Sequence, residues 1–385
     1  MSWFLAARFC VFCGATPEKE TKEHVIPRWL IELTGDPHRK GIFGPYWDNQ
    51  KGELVNRSFA FDRFAFPACH VCNRKFSSLE SSVNYVMREI LNENALSSKQ
   101  IGLFLSWLDK VRVGYWLIAT FYLQKNPLAI TPSFHVNWRV DASDRMILIY
   151  KSDYDLPRLA VEGCTTPAFQ LSPSCFVLTV NNFTFLNVST DFLISERLGL
   201  PYPTEISFTD DARIRFTIVE GRKRIRPPLV RLQYDQHCTQ LFQPLFTRSD
   251  IRTTFPLYET EYVRSISEDH PKGIGKIFIL NSPFVEEYPS DKVKMWIPKW
   301  KWNDEDLRKT VRKQWLEFQL RLIEYGPSDR KFSYTCVTRK QKKRLIETRT
   351  LIANLNEIRR IGHSCTVPRP HDHDENNIPT ILTVQ

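Results

Sequence analysis

Apolar positions change period several times along the chain, and each change marks an expected element. His24-Val25-Ile26 is a short β-type run that Pro27 stops, because proline has no N–H to continue a ladder. Residues 16–23 before it are polar and read as loop. Residues 28–33 after it have room for one or two helical turns. Residues 36–52 are rich in Gly and Pro (Gly41, Gly44, Pro45, Gly52), the composition of a loop insertion. Residues 54–66 alternate loosely and carry Phe59, Phe61, Phe64 and Phe66, the pattern of a strand. From Phe76 the period lengthens. Leu79, Val83, Val86 or Met87, Ile90 and Leu91 follow three or four apart, which predicts a helix to about Asn92 with Asn73 at its start. After a break at 94–98, residues 101–123 read as a second helix. Trp107 and Trp116 and its apolar sides make it mostly buried.

Beyond Pro127 the texture is β-like. Strands are expected at 134–140, 146–150, 175–180, 184–188, 213–219 and 230–233, with Pro and Gly between them. From Trp302 the helical period returns, with Leu307, Val311, Trp315, Phe318 and Leu322 on one face. A last basic helix is expected over 338–360. No internal repeat is visible. The expected fold class is α+β in four stretches: an N-terminal module over 1–95, a mixed region over 96–290, a basic helical region over 291–365, and a disordered tail over 366–385.

Composition narrows the function. The chain has 385 residues and 42% hydrophobic content, enough for a core and for more than one domain. Its formal net charge is +10, which favours anionic partners, nucleic acid first. Between Lys299 and Arg360 stand 17 Lys/Arg against 8 Asp/Glu, so that stretch carries +9 of the total. It is either a solvated basic face or a phosphate-contacting one. The nine cysteines are odd in number, and five are scattered (Cys164, Cys175, Cys238, Cys336, Cys365). That pattern argues against a disulfide framework and for a reducing, cytoplasmic compartment. The apolar run at 113–123 is too short to span a membrane, and Asp109, Lys110 and Arg112 precede it, so no membrane partner is expected.

The chemistry concentrates near the N-terminus. Cys10 and Cys13 form one CxxC pair, and Cys69 and Cys72 form another. Two-residue spacing lets both sulfurs of a pair reach one ion, so the four thiolates suit a single structural zinc. Unrelated pairs or a redox CxxC are the alternatives. A four-thiolate zinc has no open position and would shape the site rather than react. His24 titrates near neutral pH, where a hydrolytic base works. Glu23 and Asn73 offer oxygen to a hard cation such as Mg²⁺, and Asn73 also suits a helix N-cap. Arg28, Arg74 and Lys75 are placed to touch a phosphate backbone. His70 is a spare ligand or plain surface. His371 and His373 belong to a metal tract or a solvated tail.

Taken in order, Cys10-Val11-Phe12-Cys13-Gly14, Glu23-His24-Val25-Ile26-Pro27-Arg28-Trp29-Leu30 and Cys69-His70-Val71-Cys72-Asn73, with Leu79-Glu80 beyond, resemble the HNH endonucleases, the ββα-metal nucleases. The resemblance covers the first quarter of the chain. It implies a zinc-stabilised ββα-metal module and a DNA phosphodiester hydrolase leaving a 5′-phosphate, in a setting of bacterial or phage defence or mobile elements. In that likeness His24 is the general base. Glu23 and Asn73 hold one Mg²⁺ or Mn²⁺, and Cys10, Cys13, Cys69 and Cys72 hold zinc. DNA is the expected partner, with RNA as the alternative. The family's middle Asn has no counterpart near Cys69, Asn56 being nearest, and Arg74-Lys75-Phe76 stand where close members carry Asn-Gly-Trp. A second expectation follows: a zinc-dependent nucleic-acid-binding protein with weak or no catalysis. A third makes the module structural and gives the larger region a protein partner.

Overall fold

A computed structural model of the chain describes residues 10, 20–36, 38–48, 53–61, 65–117, 144–164, 169, 173–190, 193–198, 202–208, 214–219, 237–245, 264–269, 274–281, 284–300 and 303–324. The expected strands at 134–140 and 230–233, the basic helix at 338–360, the tail, Cys13, Cys336, Cys365, His371 and His373 lie outside them.

The first strand, β1, is Glu20–His24, and helix α1 (Arg28–Leu33) follows Pro27. The strand thus lies earlier than the 24–26 run, in residues expected as loop. Its position is set by pairing rather than by its own composition. β1 runs antiparallel to β4 (Ala65–Cys69), with Glu20 opposite Cys69 and His24 opposite Ala65. Between them, β2 (Lys40–Asp48) stands where a loop insertion was expected, and it forms a hairpin with β3 (Glu53–Ala60), which falls in the stretch expected as strand. The register shifts between Phe43 and Tyr46, so Gly44 and Pro45 sit in an irregularity that the ladder tolerates.

Helix α2 (His70–Leu91) starts six residues before the apolar period does. Its N-cap is Cys69, whose sulfur accepts from the Cys72 N–H at 3.4 Å. Asn73 is therefore inside the first turns and is not the cap. β1, β4 and α2 together make a ββα unit. β5 (Ala95–Leu96) then leads into α3 (Ser98–Leu117), reached through Glu93 at φ +55°. Trp107, Phe104 and Tyr115 on α3 are buried, as the all-round apolar pattern implied. Where α3 passes the ββα unit, a Cβ on Gly114 would lie 2.8 Å from Val25 Cγ1, so only glycine fits that approach.

The rest is a sheet and its cover. The strands are β6 (Asp144–Lys151), β7 (Leu159–Glu162), β8 (Cys175–Val180), β9 (Phe183–Thr190), β10 (Tyr202–Phe208), β11 (Ile214–Val219), β12 (Thr239–Pro244), β13 (Ser267–Asp269), β14 (Ile274–Gly275), β15 (Phe278–Asn281), β16 (Phe284–Glu287) and β17 (Val293–Lys294). The helices are α4 (Leu193–Leu198) and α5 (Asp304–Glu324). Seven strands join in the order β16-β15-β12-β6-β9-β8-β7, every pair antiparallel.

Side-chain alternation divides the core in two. Ile147, Ile149, Leu178 and Phe185 share one face of the sheet with α2, α3 and the ββα unit. Met146, Leu148, Tyr150 and Val177 face the other way, under Leu307, Val311, Trp315 and Phe318 of α5. The strands read as nearly continuous apolar runs because both faces are covered, unusual for an antiparallel sheet. Helices combined with antiparallel sheets make a mixed α and β fold, compatible with the α+β class. The boundary expected at residue 95 falls inside β5, which pairs with β17 (Leu96 opposite Val293).

Candidate metal centre and its surroundings

Cys10, Cys69 and Cys72 come together although two of them are some sixty residues from the first. Their sulfurs all lie within 4.8 Å of one another. Cys10 is buried, while Cys69 and Cys72 are half-buried at the junction of β4 and α2. At that junction the Cys69 sulfur, at the N-cap of α2, accepts the Cys72 N–H. Three convergent sulfurs fit a tetrahedral zinc, each at about 2.3 Å from the metal, with one position left for a further ligand. Cys13 lies outside the described residues.

Strand alternation puts Thr21 and Glu23 on one face of β1, with Lys22 and His24 on the other. The inner face is held by α2. The Asn73 amide donates to Thr21 Oγ1 at 2.8 Å and to Lys22 O at 3.3 Å, and Thr21 Oγ1 donates to Ala68 O at 2.8 Å. Asn73 thus ties the start of the helix to β1, and Thr21 passes the tie on to β4. Glu23 points into the core, 5% exposed, and its carboxylate is ion-paired with Lys110 of α3. The same ammonium binds Glu80 of α2 and lies 3.4 Å from His24 O. It also stands 5.4 Å over the Phe76 ring. Two carboxylates share one ammonium in a nearly dry site. Burial pushes the Glu80 carboxyl above the ordinary range, Lys110 pulls it back, and the nearby Glu23 charge adds to the rise. As arranged, Lys110 is ion-paired with one oxygen of Glu23, and it is the NH2 group of Asn73, not its oxygen, that is spent on β1.

The His24 ring is half-buried at the end of β1 and makes no hydrogen bond among the described residues. Arg28, Arg74 and Lys75 are exposed. Arg28 pairs with Glu32 at 2.7 Å, and Arg74 reaches the exposed His70 ring at 3.4 Å.

Sequence reasoning missed Lys110 and left Glu80 without a role. Lys110 was visible as a cation between Leu108 and Val111 in a helix expected to be buried. Its partner Glu23, however, is 87 residues away. No helix among the described residues is long and apolar enough to cross a membrane. No family model, curated protein or solved structure matches this chain.

Proposed function

We propose that the chain is a zinc-stabilised endonuclease of HNH type that hydrolyses DNA, with His24 as the general base. The observation that carries this reading is the meeting of Cys10, Cys69 and Cys72 at the strand–helix junction of a ββα unit whose first strand ends in His24. A half-buried imidazole with no hydrogen-bond partner among the described residues suits a group that takes a proton from water. Zinc on the cysteines would pin β4 and α2 to the segment around Cys10. Arg28, Arg74 and Lys75 would hold the phosphate backbone. A Mg²⁺ or Mn²⁺ ion supplies charge neutralisation at the phosphate when bound. Glu23 and Asn73 become its seat only once Lys110 gives up Glu23.

The Lys110 contact favours a second reading, a zinc-dependent nucleic-acid-binding protein with little or no cleavage. There the ammonium permanently fills the place of the metal.

Plasmid nicking separates the two. Purified protein of known zinc content is assayed with Mg²⁺ or Mn²⁺, with chelator, and as a His24→Ala variant that keeps its zinc. Nicking that needs the ion and disappears in the variant supports the nuclease. Nicking that survives in the variant removes His24 from the role. DNA bound without nicking, with affinity falling steeply as salt rises, leaves the binding protein.

A further inference from the structure

Trp296 is the most exposed large apolar side chain among the described residues, at 77%, and Tyr85 on α2 is 49% exposed. Neither belongs to the candidate metal centre. Around Trp296 the exposure alternates by residue. Lys292, Lys294 and Trp296 face outward, whereas Met295 and Ile297 are each 6% exposed and sit in the core. This alternation, running through and just beyond β17, turns two ammonium groups and an indole outward at every second position.

That face is rigid. β17 pairs with β5, Thr239 Oγ1 donates to Trp296 O at 2.6 Å, and Tyr288 OH donates to Leu96 O at 3.2 Å. The backbone beneath the indole is fixed while the ring is left in water. Tyr85 is tied to the same face, with Lys292 Nζ 3.5 Å from its hydroxyl and 5.7 Å from its ring centre. Arg88 is exposed one turn further along α2.

Aromatic rings interleaved with lysines are the chemistry of single-stranded nucleic-acid binding. Any base has a π-face to stack, and the lysines take the phosphates. A protein partner would call for an apolar surround, and the outward residues preceding Trp296, Lys294 and Lys292, are lysines instead.

We propose that Tyr85 and Trp296, with Lys292 and Lys294, form a platform on which a single nucleic-acid strand stacks its bases. Asn73 and Tyr85 are twelve residues apart on α2, so the platform stands about 18 Å along the helix from the candidate site. That is about five base steps of a stacked strand. The connection to His24 rests on the nuclease reading, but the platform does not.

The test is fluorescence anisotropy of the full, zinc-loaded chain with a labelled oligothymidine of about 16 nucleotides, without added Mg²⁺. Trp296→Ala is expected to weaken binding by about five- to a hundredfold, and Trp296→Tyr to restore most of it. Lys292→Ala with Lys294→Ala is expected to reduce the slope of log affinity against log salt by about 1.4. These side chains are exposed, so unchanged thermal melts will certify the variants. The proposal is overturned if the parent does not bind the strand, or if Trp296→Ala binds it as tightly. A chain that binds through Trp296 and nicks nothing keeps the platform and loses the nuclease. Nicking that persists while Trp296→Ala binds normally does the reverse.

Discussion

The ββα unit and the seven-stranded sheet meet on α3 and treat the same side chains in opposite ways. Cys164, just past β7, and Cys175, in β8, are each sealed in the core, and burial pushes both thiols well above their ordinary range. Cys10, Cys69 and Cys72 are gathered instead, with a backbone N–H on one sulfur. The charges differ likewise. On the sheet side, Asp109 of α3 binds Arg145 at 2.7 Å, and Gln243 accepts from the same guanidinium at 2.8 and 2.6 Å. On the other side, Lys110 faces two carboxylates at once. The sheet side sets one carboxylate against two guanidinium groups, since Arg112 also lies 3.4 Å from Asp109, whereas the other side sets two carboxylates against one ammonium and carries surplus negative charge. A structural core gains nothing from such surplus, whereas sites that bind or react commonly keep one.

The sharpest way to break this contrast is to change one cysteine on each side. Cys72→Ser is expected to lose zinc and several kcal/mol of stability, because metal binding to a structural site is folding free energy. Cys175→Ala is expected to keep one zinc per chain and to cost about 1–2 kcal/mol for the small cavity. Zinc content by elemental analysis and urea midpoints read both outcomes. Full zinc content in Cys72→Ser would remove the metal centre. In the native protein Cys164 and Cys175 should also resist a thiol reagent that they accept after unfolding.

How much of this the sequence carried varies with the range of the forces involved. Helix α1, the helix from Asp304 and the strands around 146–150, 175–180 and 184–188 were legible because each buries a periodic apolar set against a large core. Strand β2 was not, since Gly44 and Pro45 argue for a loop unless a partner strand and an irregularity accommodate them. The start of α2 was missed because its first turn is held by Cys69 as a cap and by Asn73 bonding to β1, which leave no apolar period. At the site, the two CxxC pairs foretold that Cys10, Cys69 and Cys72 would meet. The ammonium on Glu23 was not foretold, because only folding brings α3 to β1.

Lys110 gives the next test. Lys110→Met leaves Glu23 and Glu80 without their cation in a dry site and is expected to cost about 3–5 kcal/mol. Adding Glu23→Gln and Glu80→Gln should recover most of that loss, since a neutral set of similar volume is often as stable as the ion pair. Urea denaturation of the single and triple variants measures it. A Lys110→Met protein as stable as the parent would mean that the carboxylates already have other cations, and the surplus of charge would vanish as an argument. The equivalent removal on the sheet side, Arg145→Met, should not be rescued by neutralising Asp109 alone, because Gln243 would also lose its donor.

The smallest effect concerns Glu80 and pH. Its folded carboxyl lies above the ordinary value of 4.5, chiefly because burial disfavours the charge. A raised acid binds its proton more tightly folded than unfolded, so its contribution to stability is full below the ordinary value. That contribution is lost as pH climbs through the raised one. Glu80→Gln has no proton to lose. The parent should therefore lose stability relative to Glu80→Gln as pH rises from below 4.5 through the raised value, and the difference should level off above it. The slope cannot exceed about 1.4 kcal/mol per pH unit for one group. Urea midpoints of both proteins at successive pH values give the difference directly. A difference that moves the other way would mean that Lys110 outweighs burial at Glu80. The two carboxylates would then be an ordinary salt-bridged pair like those of the sheet, and the contrast between the two sides of α3 would rest on the cysteines alone.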